Sequence, residues 1–551
     1  ERPVALAPEI ADADLRETAS LDLFAPLCTP GRIFWVLALA LLTLGFMARA
    51  TRYLPGWAPW GDETALVSNI VERDYAGLMQ PLDSTQVAPV GYLWSAKTSI
   101  ELFGVNEHSL RLPAFLSSLA ALLLMLRIAR VATTGWATLL AISIFAVSTY
   151  QIRHASEMKQ YATECCVAAA LLVLALEAGR ARLGAAWALV ALAPLAQFSS
   201  LSAVFVAGGI SLALAPVVWR QRSWHWWCWY AVYNATVGLS FLAVYFLVLR
   251  PQMAVHFTSM DYCWGDQMPN WRSPLALLGW LYRTATGSIF AHPFGGENSG
   301  SLPFAILFWV GIVAMWRRGD FLFLRMLAGV FALAMLAALL RKYPLGGHAR
   351  LALYLSPLVT VPIAVGLASL IRWRAADSQV MLRRGLTTLG LVVVVGLGVM
   401  LKDLARPNYS TTTRDLAAFA RWFWTDHAAG APGPLLSVTQ DRRAYACSPR
   451  EHEYLRARYQ GTLNPCLPAV PERLAGPTGL VMCTVVDYAD YAKLIPAWRA
   501  ALAQRYEVFG HQFYQINVND RERAVRFDVM WVRPLTSDPA ATVASATAEA
   551  R

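Results

Sequence analysis

The chain has 551 residues, of which 56% are hydrophobic and only 15% charged, and its mean hydropathy is +0.41. A soluble globular protein does not carry that balance, so the composition specifies a membrane protein. The formal net charge of +11 falls mostly in short connections between apolar runs; it reads as a topology signal and argues against a nucleic-acid partner.

In chain order, residues 1–32 are mildly acidic and hold no cleavable signal pattern, which predicts a cytoplasmic N-terminal tail. From Ile33 to Leu401, apolar runs of about 17–22 residues recur, each long enough to cross a hydrocarbon layer of about 30 Å as a helix. Eleven spans are predicted, centred on 33–50, 109–129, 134–150, 164–178, 183–199, 201–218, 228–249, 303–316, 321–340, 351–371 and 385–401. With the N-terminus inside, the inner loops gather thirteen bases, from Arg127 and Arg130 to Arg383 and Arg384, against three acids, Glu177, Asp320 and Asp377. The long outer loops, 51–108 and 250–302, show no such excess, so the positive-inside rule selects this orientation. Arg outnumbers Lys by 42 to 5, a bias that fits GC-rich bacterial coding and points to a bacterial inner membrane.

The first outer loop carries seven acids and three bases between Arg52 and His108. Its segments ALVSNIVERDYAGLM and GYLWSAKTSIELFG set apolar residues at helical spacing among charges, as does SPLALLGWLYRTATGSIF in the loop 250–302. These patterns predict helices lying in the membrane interface.

Past the last span the composition becomes that of a soluble domain. Residues 402–535 predict a periplasmic α/β domain, with helices at DLAAFARWFWTDH and YAKLIPAWRAALAQRY. Strands are expected at PLLSVT, GLVMCTVV, EVFGHQFYQINV and RFDVMWV, where β-branched and aromatic residues dominate. Residues 536–551 are small and polar, which predicts a disordered tail. Of eight cysteines, Cys165, Cys166 and Cys228 sit in or beside spans, where a small buried hydrophobe is the ordinary role. Cys447, Cys466 and Cys483 fall in the outer domain. An oxidising compartment allows one disulfide there, with Cys447 and Cys466 the preferred pair. No pair has zinc-ligand spacing.

Three polar clusters interrupt this apolar chain. The first is Asp62-Glu63 in WGDE, directly after the Pro-rich YLPGWAPW. Adjacent side chains point in different directions in helix or strand, so one can face a cavity while the other braces the loop; the bland alternative is a solvated face. The second is QIRHASEMKQYATE, with Arg153, His154, Glu157 and Lys159 at the same membrane face, and ionisable groups at the mouth of a helix bundle are a functional hypothesis. The third is RKYPLGGHAR, residues 341–350, whose four bases lie outside and so break the positive-inside rule. An anion bound there accounts for them, with Arg350, Lys342, His348 and Arg153 as phosphate-binding candidates through arginine forks and point charges. The bland alternative is an anchor snorkelling to lipid headgroups. Carboxylates and a phosphate clamp at one membrane face suit transfer of a sugar from a lipid phosphate: a carboxylate takes the proton of the acceptor hydroxyl, and cations stabilise the departing phosphate.

In order along the chain, WGDE (60–63), PLDSTQVAPVGYLW (81–94), FGVNEHSLRLPAFL (103–116), SEMKQYA (156–162) and RLALYLSPL (350–358) resemble the GT-C superfamily of polyprenyl-phosphate-sugar glycosyltransferases. The similar members are bacterial ones around the lipid A aminoarabinose transferases and protein O-mannosyltransferases, families 83 and 39. The resemblance covers about 300 residues and is specific for the superfamily, not for a substrate. It implies an inverting transferase in a GT-C fold, a polytopic α-helical membrane protein of about 11 transmembrane helices with a C-terminal extracytoplasmic α/β domain. The donor would be a polyprenyl-phosphate sugar and the acceptor an envelope lipid, glycan or protein. By the same resemblance Asp62 is the base or acceptor-orienting carboxylate, Glu63 shapes the site, Glu157 is the second-loop acid and Arg350 meets the donor phosphate. Where aminoarabinose transferases carry a Glu-Lys-Pro-Pro type stretch, this chain has Val87-Ala88-Pro89-Val90, without that acid and base. Lys97 or His256 is then the expected substitute cation, with Tyr92 beside them in the pocket, and the use of a divalent metal stays open. Two other functions compete for the same charges. A transporter or flippase of lipid-linked saccharides predicts polar or Gly/Pro breaks near the midplane of several spans; a non-catalytic scaffold leaves the first-loop acids and outer bases without a role.

Overall fold

The computed structural model describes residues 31–57, 59, 61–83, 86–252, 264–270, 272–296, 299–346, 348–373, 375, 377–405, 479–485, 496, 499–517 and 524–535. His256, Cys447, Cys466, both tails and the elements expected at 415–427 and 434–439 lie outside them. The helices are α1 Gly31–Tyr53, α2 Gly61–Glu72, α3 Val90–Phe103, α4 Glu107–Ala132, α5 Trp136–Ala146, α6 Thr149–His154, α7 Tyr161–Gly179, α8 Leu183–Ser199, α9 Ala203–Gln221 and α10 Trp224–Val244. They continue with α11 Pro274–Thr286, α12 Leu302–Arg318, α13 Phe321–Leu339, α14 Ser356–Arg372 and α15 Ser378–Ala405. By contacts the chain forms two units, one of residues 1–55, 73–102 and 108–405, the other of 56–72, 103–107 and 406–551.

The first unit is a bundle of apolar helices, and the protein is a multi-span membrane protein. Among the described residues, eight helices are long and apolar enough to cross a membrane: α1, α4, α7, α9, α10 with its extension to Gln252, α13, α14 with the turn before it, and α15. The spans expected at 134–150, 183–199 and 303–316 fall on α5, α8 and α12, of 11, 17 and 17 residues.

The shortest of these differs most from expectation. At 11 residues α5 rises only about 16 Å, so its last carbonyls end inside the bundle, where no water can satisfy them. Arg49, buried on α1, meets them: Nη1 donates to the Ala146 carbonyl at 3.0 Å and Nη2 to that of Phe145 at 3.3 Å. Its Nε donates to Ser118 Oγ at 2.8 Å. The chain can therefore break at Val147–Ser148 and begin α6, where the apolar pattern alone predicts one continuous helix.

Small residues let the helices approach closely, the usual packing device where lipid removes any hydrophobic drive between helices. A Cβ on Gly311 of α12 would lie 1.9 Å from the Pro362 carbonyl oxygen of α14, and one on Gly366 would lie 2.1 Å from the Leu307 carbonyl oxygen. Gly209 of α9 meets Gly329 and Val330 of α13 in the same way, and α15 lays Gly385 on Trp136 and Gly396 on Val147. Helix α14 is buried along most of its length and packs against both α5 and α12, which makes it the inner post of the bundle.

The loops sort to two ends, as the pairing of bases and acids requires. At one end Glu177 of α7 accepts a hydrogen bond from Arg127 of α4 and forms an ion pair at 2.7 Å with Arg182. At the other, Tyr53 at the end of α1 stacks on Phe115 of α4 with centroids 4.2 Å apart. The segments 148–160, 287–296, 341–353 and the end of α15 gather there too. The three segments read as amphipathic helices are helical, as α2, α3 and α11. In α11, Ser273 caps the N-terminus, Trp280 is buried, and Leu275, Leu278, Leu281 and Tyr282 are exposed along one side, the one-sided pattern of a helix lying on a bilayer.

In the second unit, three of the expected strands form an antiparallel sheet of β1 Gly479–Val485, β2 Tyr506–Asn517 and β3 Ala524–Pro534, with β3 in the middle. Met530 and Val532, two apart on β3, are buried together with Leu502 and Tyr506, so one face of the sheet carries a core. The cross-strand partners Glu507 and Arg533 form a two-pronged ion pair at 2.7 and 2.8 Å, and that exposed arginine pulls the Glu507 carboxyl down.

Candidate active site

The site is built on α6, a helix of six residues that could not stand alone and is fastened on every side. Its first amide, Thr149 N, donates to the Pro293 carbonyl at 2.9 Å. Ser148 Oγ and His292 Nδ1 are 3.1 Å apart, and the Tyr150 hydroxyl donates to the Gly295 carbonyl at 3.3 Å. From inside the bundle, Gln151 Nε2 donates to Ser356 Oγ at 2.6 Å, at the first turn of α14. Burial without a charge partner pushes the His292 imidazole down to about 4, so this fastening holds a neutral ring.

At the end of α6, His154 Nδ1 meets Glu157 Oε2 at 2.6 Å, and both residues are buried. Burial raises the Glu157 carboxyl. The charge and hydrogen bond of His154, with the charges of Arg153 and Arg350, pull harder the other way and leave it below the ordinary carboxylate range. Glu157 is therefore an anion at neutral pH. The second and third polar clusters, nearly two hundred residues apart in the sequence, act on one carboxylate.

Arg350 is placed by aromatic rings: its guanidinium carbon lies 5.1 Å from the ring centre of Trp264 and 5.9 Å from that of Tyr161. The His348 ring meets Trp264 edge-on at 5.6 Å. Aromatic rings beside a guanidinium hold it by cation–π attraction.

A further cation arrives from the second cluster. Lys159 is buried and its Nζ donates to Gln86 Oε1 at 2.7 Å, immediately before Val87-Ala88-Pro89-Val90. Lys159 thus occupies the neighbourhood for which Lys97 or His256 is the sequence expectation. Lys97 is half-buried and Tyr92 buried on α3; five positions apart, they point about 140° from each other around that helix. Lys342 is exposed.

Arg153 takes a partner from α15. It is bound by Asp403, which raises the pKa of the guanidinium despite the opposing effect of burial. Asp403 Oδ2 also accepts from Arg52 Nη1 at 2.8 Å. Neither Arg52 nor Asp403 stands out in the sequence by motif. Periodicity marks both: Arg52 is seven residues after Gly45, and Asp403 seven after Gly396, on faces that glycine contacts turn inward. Trp264 and Tyr161 carried no signal beyond aromatic enrichment at span ends.

In the second unit, Asp62 and Glu63 are the second and third residues of α2, and Glu63 is buried at 0% exposure. Among the described residues no group of three or more His, Cys, Asp or Glu side chains is arranged to hold a metal ion.

No family model and no curated protein matches the sequence. Among solved structures, the chain is similar to ArnT from Cupriavidus metallidurans bound to undecaprenyl phosphate, with a TM-score of 0.52 at 14% identity over 91% of this chain and 98% of that one. It is also similar to the archaeal oligosaccharyltransferase AglB from Archaeoglobus fulgidus, in complex with an inhibitory peptide and a dolichol-phosphate, with a TM-score of 0.46 at 12% identity over 88% and 74% of the two chains. The first likeness, spanning nearly the whole of both chains, shows that the fold is of GT-C type.

Proposed function

We propose that this chain is an inverting glycosyltransferase that moves a sugar from a polyprenyl-phosphate donor to a hydroxyl of an envelope lipid, glycan or protein on the outer face of a bacterial inner membrane. The observation that carries this reading is Glu157, held as an anion by His154 and by the charges of Arg153 and Arg350, at one end of a GT-C bundle where Arg350 lies against Trp264 and Tyr161. A reaction that creates a phosphate leaving group from a lipid needs a cation facing the headgroup and a carboxylate near the acceptor. ArnT, whose structure holds undecaprenyl phosphate, supports the choice of donor.

In the proposed reaction an ionised carboxylate, Asp62 by the family resemblance, takes the proton of the acceptor hydroxyl. The acceptor oxygen attacks the anomeric carbon from the side opposite the phosphate, the carbon–oxygen bond to phosphate breaks, and polyprenyl phosphate leaves with the electron pair. Arg350, with Lys159 beside the first-loop stretch, balances the charge that develops on the leaving group. Glu157 holds Arg350 and His154 in place and keeps the site from attracting anions indiscriminately. The domain division is part of the same proposal: a transmembrane catalytic part over 33–401 and a periplasmic part over 402–535.

The test is consumption of undecaprenyl-phosphate-linked sugars by purified protein in liposomes, read by mass spectrometry, with Arg350→Ala alongside. The parent should consume at least one donor and Arg350→Ala should lose about a hundredfold or more in kcat/KM. Consumption unaffected by that substitution removes Arg350 from the donor site. Envelope lipids and glycans of a deletion strain, compared with the parent's, then identify the acceptor by the species that disappears.

A further inference from the structure

Six ionisable groups form a string of alternating sign through the site end of the bundle, ending on two bases around one carboxylate. Arg52 binds Asp403, Asp403 binds Arg153, Arg153 acts on Glu157, and Glu157 binds His154 and feels Arg350. The Arg52 and Asp403 side chains are only 1% and 11% exposed. Beneath them Ala48 of α1, Ile152 of α6 and Met400 of α15 form a small separate apolar cluster. The pairing therefore sits on a dry floor, where removal of one partner leaves a charge that water cannot reach.

From this arrangement we infer that Asp403 is a positioning residue for the proposed reaction: it holds the Arg153 guanidinium so that a fixed positive charge faces Glu157 at the head of α6. The inference rests on the transferase reading for its kinetic consequence. Its geometry stands independently.

Three features carry it. Asp403 lies on the face of α15 that Gly385, Leu389, Gly396 and Met400 bury, so its side chain is directed into the bundle by helix period. It is shared between the end of α1 and α6, the two elements that precede the first-loop and second-loop acids in sequence. Arg153 Nε is buried with no hydrogen-bond acceptor among the described residues, so besides the Tyr150 ring beneath it this guanidinium is held by the hydrogen bond that Nη2 donates to Asp403. The charged groups acting on Glu157 are His154 and Arg153 from α6 and Arg350 from the segment 341–353. Freeing Arg153 from Asp403 lets its positive charge move away from Glu157.

The experiment compares the parent with Asp403→Asn, Asp403→Glu and the double variant Asp403→Asn/Arg52→Gln. The last removes the surplus buried cation that could unfold Asp403→Asn. All are purified full-length in detergent, matched for monodispersity, and measured for donor turnover against pH and for amide hydrogen exchange. In the double variant turnover should fall by about tenfold to a hundredfold and its acidic limb should move to higher pH, while Asp403→Glu recovers most of both. Peptides covering 149–157 should exchange faster than the parent's, with those of α9 and α13 unchanged. A folded double variant with the parent's rate, acidic limb and exchange overturns the inference, because a merely structural carboxylate leaves the pH profile in place. If the parent turns over no lipid-linked sugar, the transferase reading fails, and hydrogen exchange decides alone: faster exchange confined to 149–157 supports the positioning role, and unchanged exchange overturns it.

Discussion

His292 shows how a single residue can govern the site without touching its chemistry. Its imidazole is buried against Ser148, and burial moves its pKa from 6.5 to about 4. A folded-state value below the unfolded one means that the unfolded chain binds the extra proton between the two. The stabilisation is therefore complete above about pH 6.5 and is lost as pH falls toward 4, and amounts to about 3 kcal/mol. Replacing His292 with Gln should flatten the acid side of the melting-temperature profile between those values, which differential scanning fluorimetry over pH 4–8 would reveal. An unchanged slope would mean that the ring is not held neutral. Glu157 has the same sign in a lower window: its contribution is complete above the ordinary carboxylate value and is lost only in stronger acid. Asp403 is the residue least visible to motif reading, because its meaning depends on two arginines 351 and 250 positions away. The inward face of α15 was encoded in its glycines. What that face would meet was not, since helix order within a bundle does not follow from hydropathy.

At the scale of helices, close packing at glycine is the feature most open to test. Gly311 and Gly366 place α12 against α14 at backbone contact, with a Cβ at 311 only 1.9 Å from a carbonyl oxygen. Gly311→Ala must push the two helices apart and should cost about 1–3 kcal/mol, measurable as a lower midpoint in thermal denaturation in detergent. Gly238, with nothing within 4 Å of an added Cβ, is the matched control and should tolerate Ala. Hydropathy located these helices well because lipid demands long apolar runs whatever they pack on. It misread α5 as one continuous span over 134–150, because the device that allows a helix to stop inside the bundle is Arg49 on another helix. A sequence window sees an arginine near a span end; the carbonyls it satisfies lie about a hundred residues further on.

For the whole molecule, the sidedness of the bundle separates the two ends experimentally. The end with Arg127, Glu177 and Arg182 is proposed to face the cytoplasm, and that with Glu157, Arg350 and Asp403 the periplasm. Single cysteines introduced at exposed Arg272 and Arg222, in a background stripped of native cysteine, should react oppositely with a membrane-impermeant maleimide in intact spheroplasts. Position 272 should label and position 222 should not until the membrane is broken. Labelling of 222 from outside would invert the topology and place the site where no periplasmic acceptor reaches it. The fold class and the second and third polar clusters were legible from the first reading, because charges in a membrane chain are few and each stands out. The aromatic platform of Arg350 was not, since Trp264 and Tyr161 look like the interfacial aromatics that every span end carries.

The central claim is that the first-loop carboxylate and the end-of-bundle cations serve sugar transfer from a lipid phosphate. It is tested most directly by Asp62→Asn in proteoliposomes supplied with the donor that the parent consumes and its acceptor. Turnover should fall by about a hundredfold or more, with binding of undecaprenyl phosphate retained, because a lost general base affects the chemical step and not the hold on the donor. Turnover by Asp62→Asn at the parental rate would contradict the account.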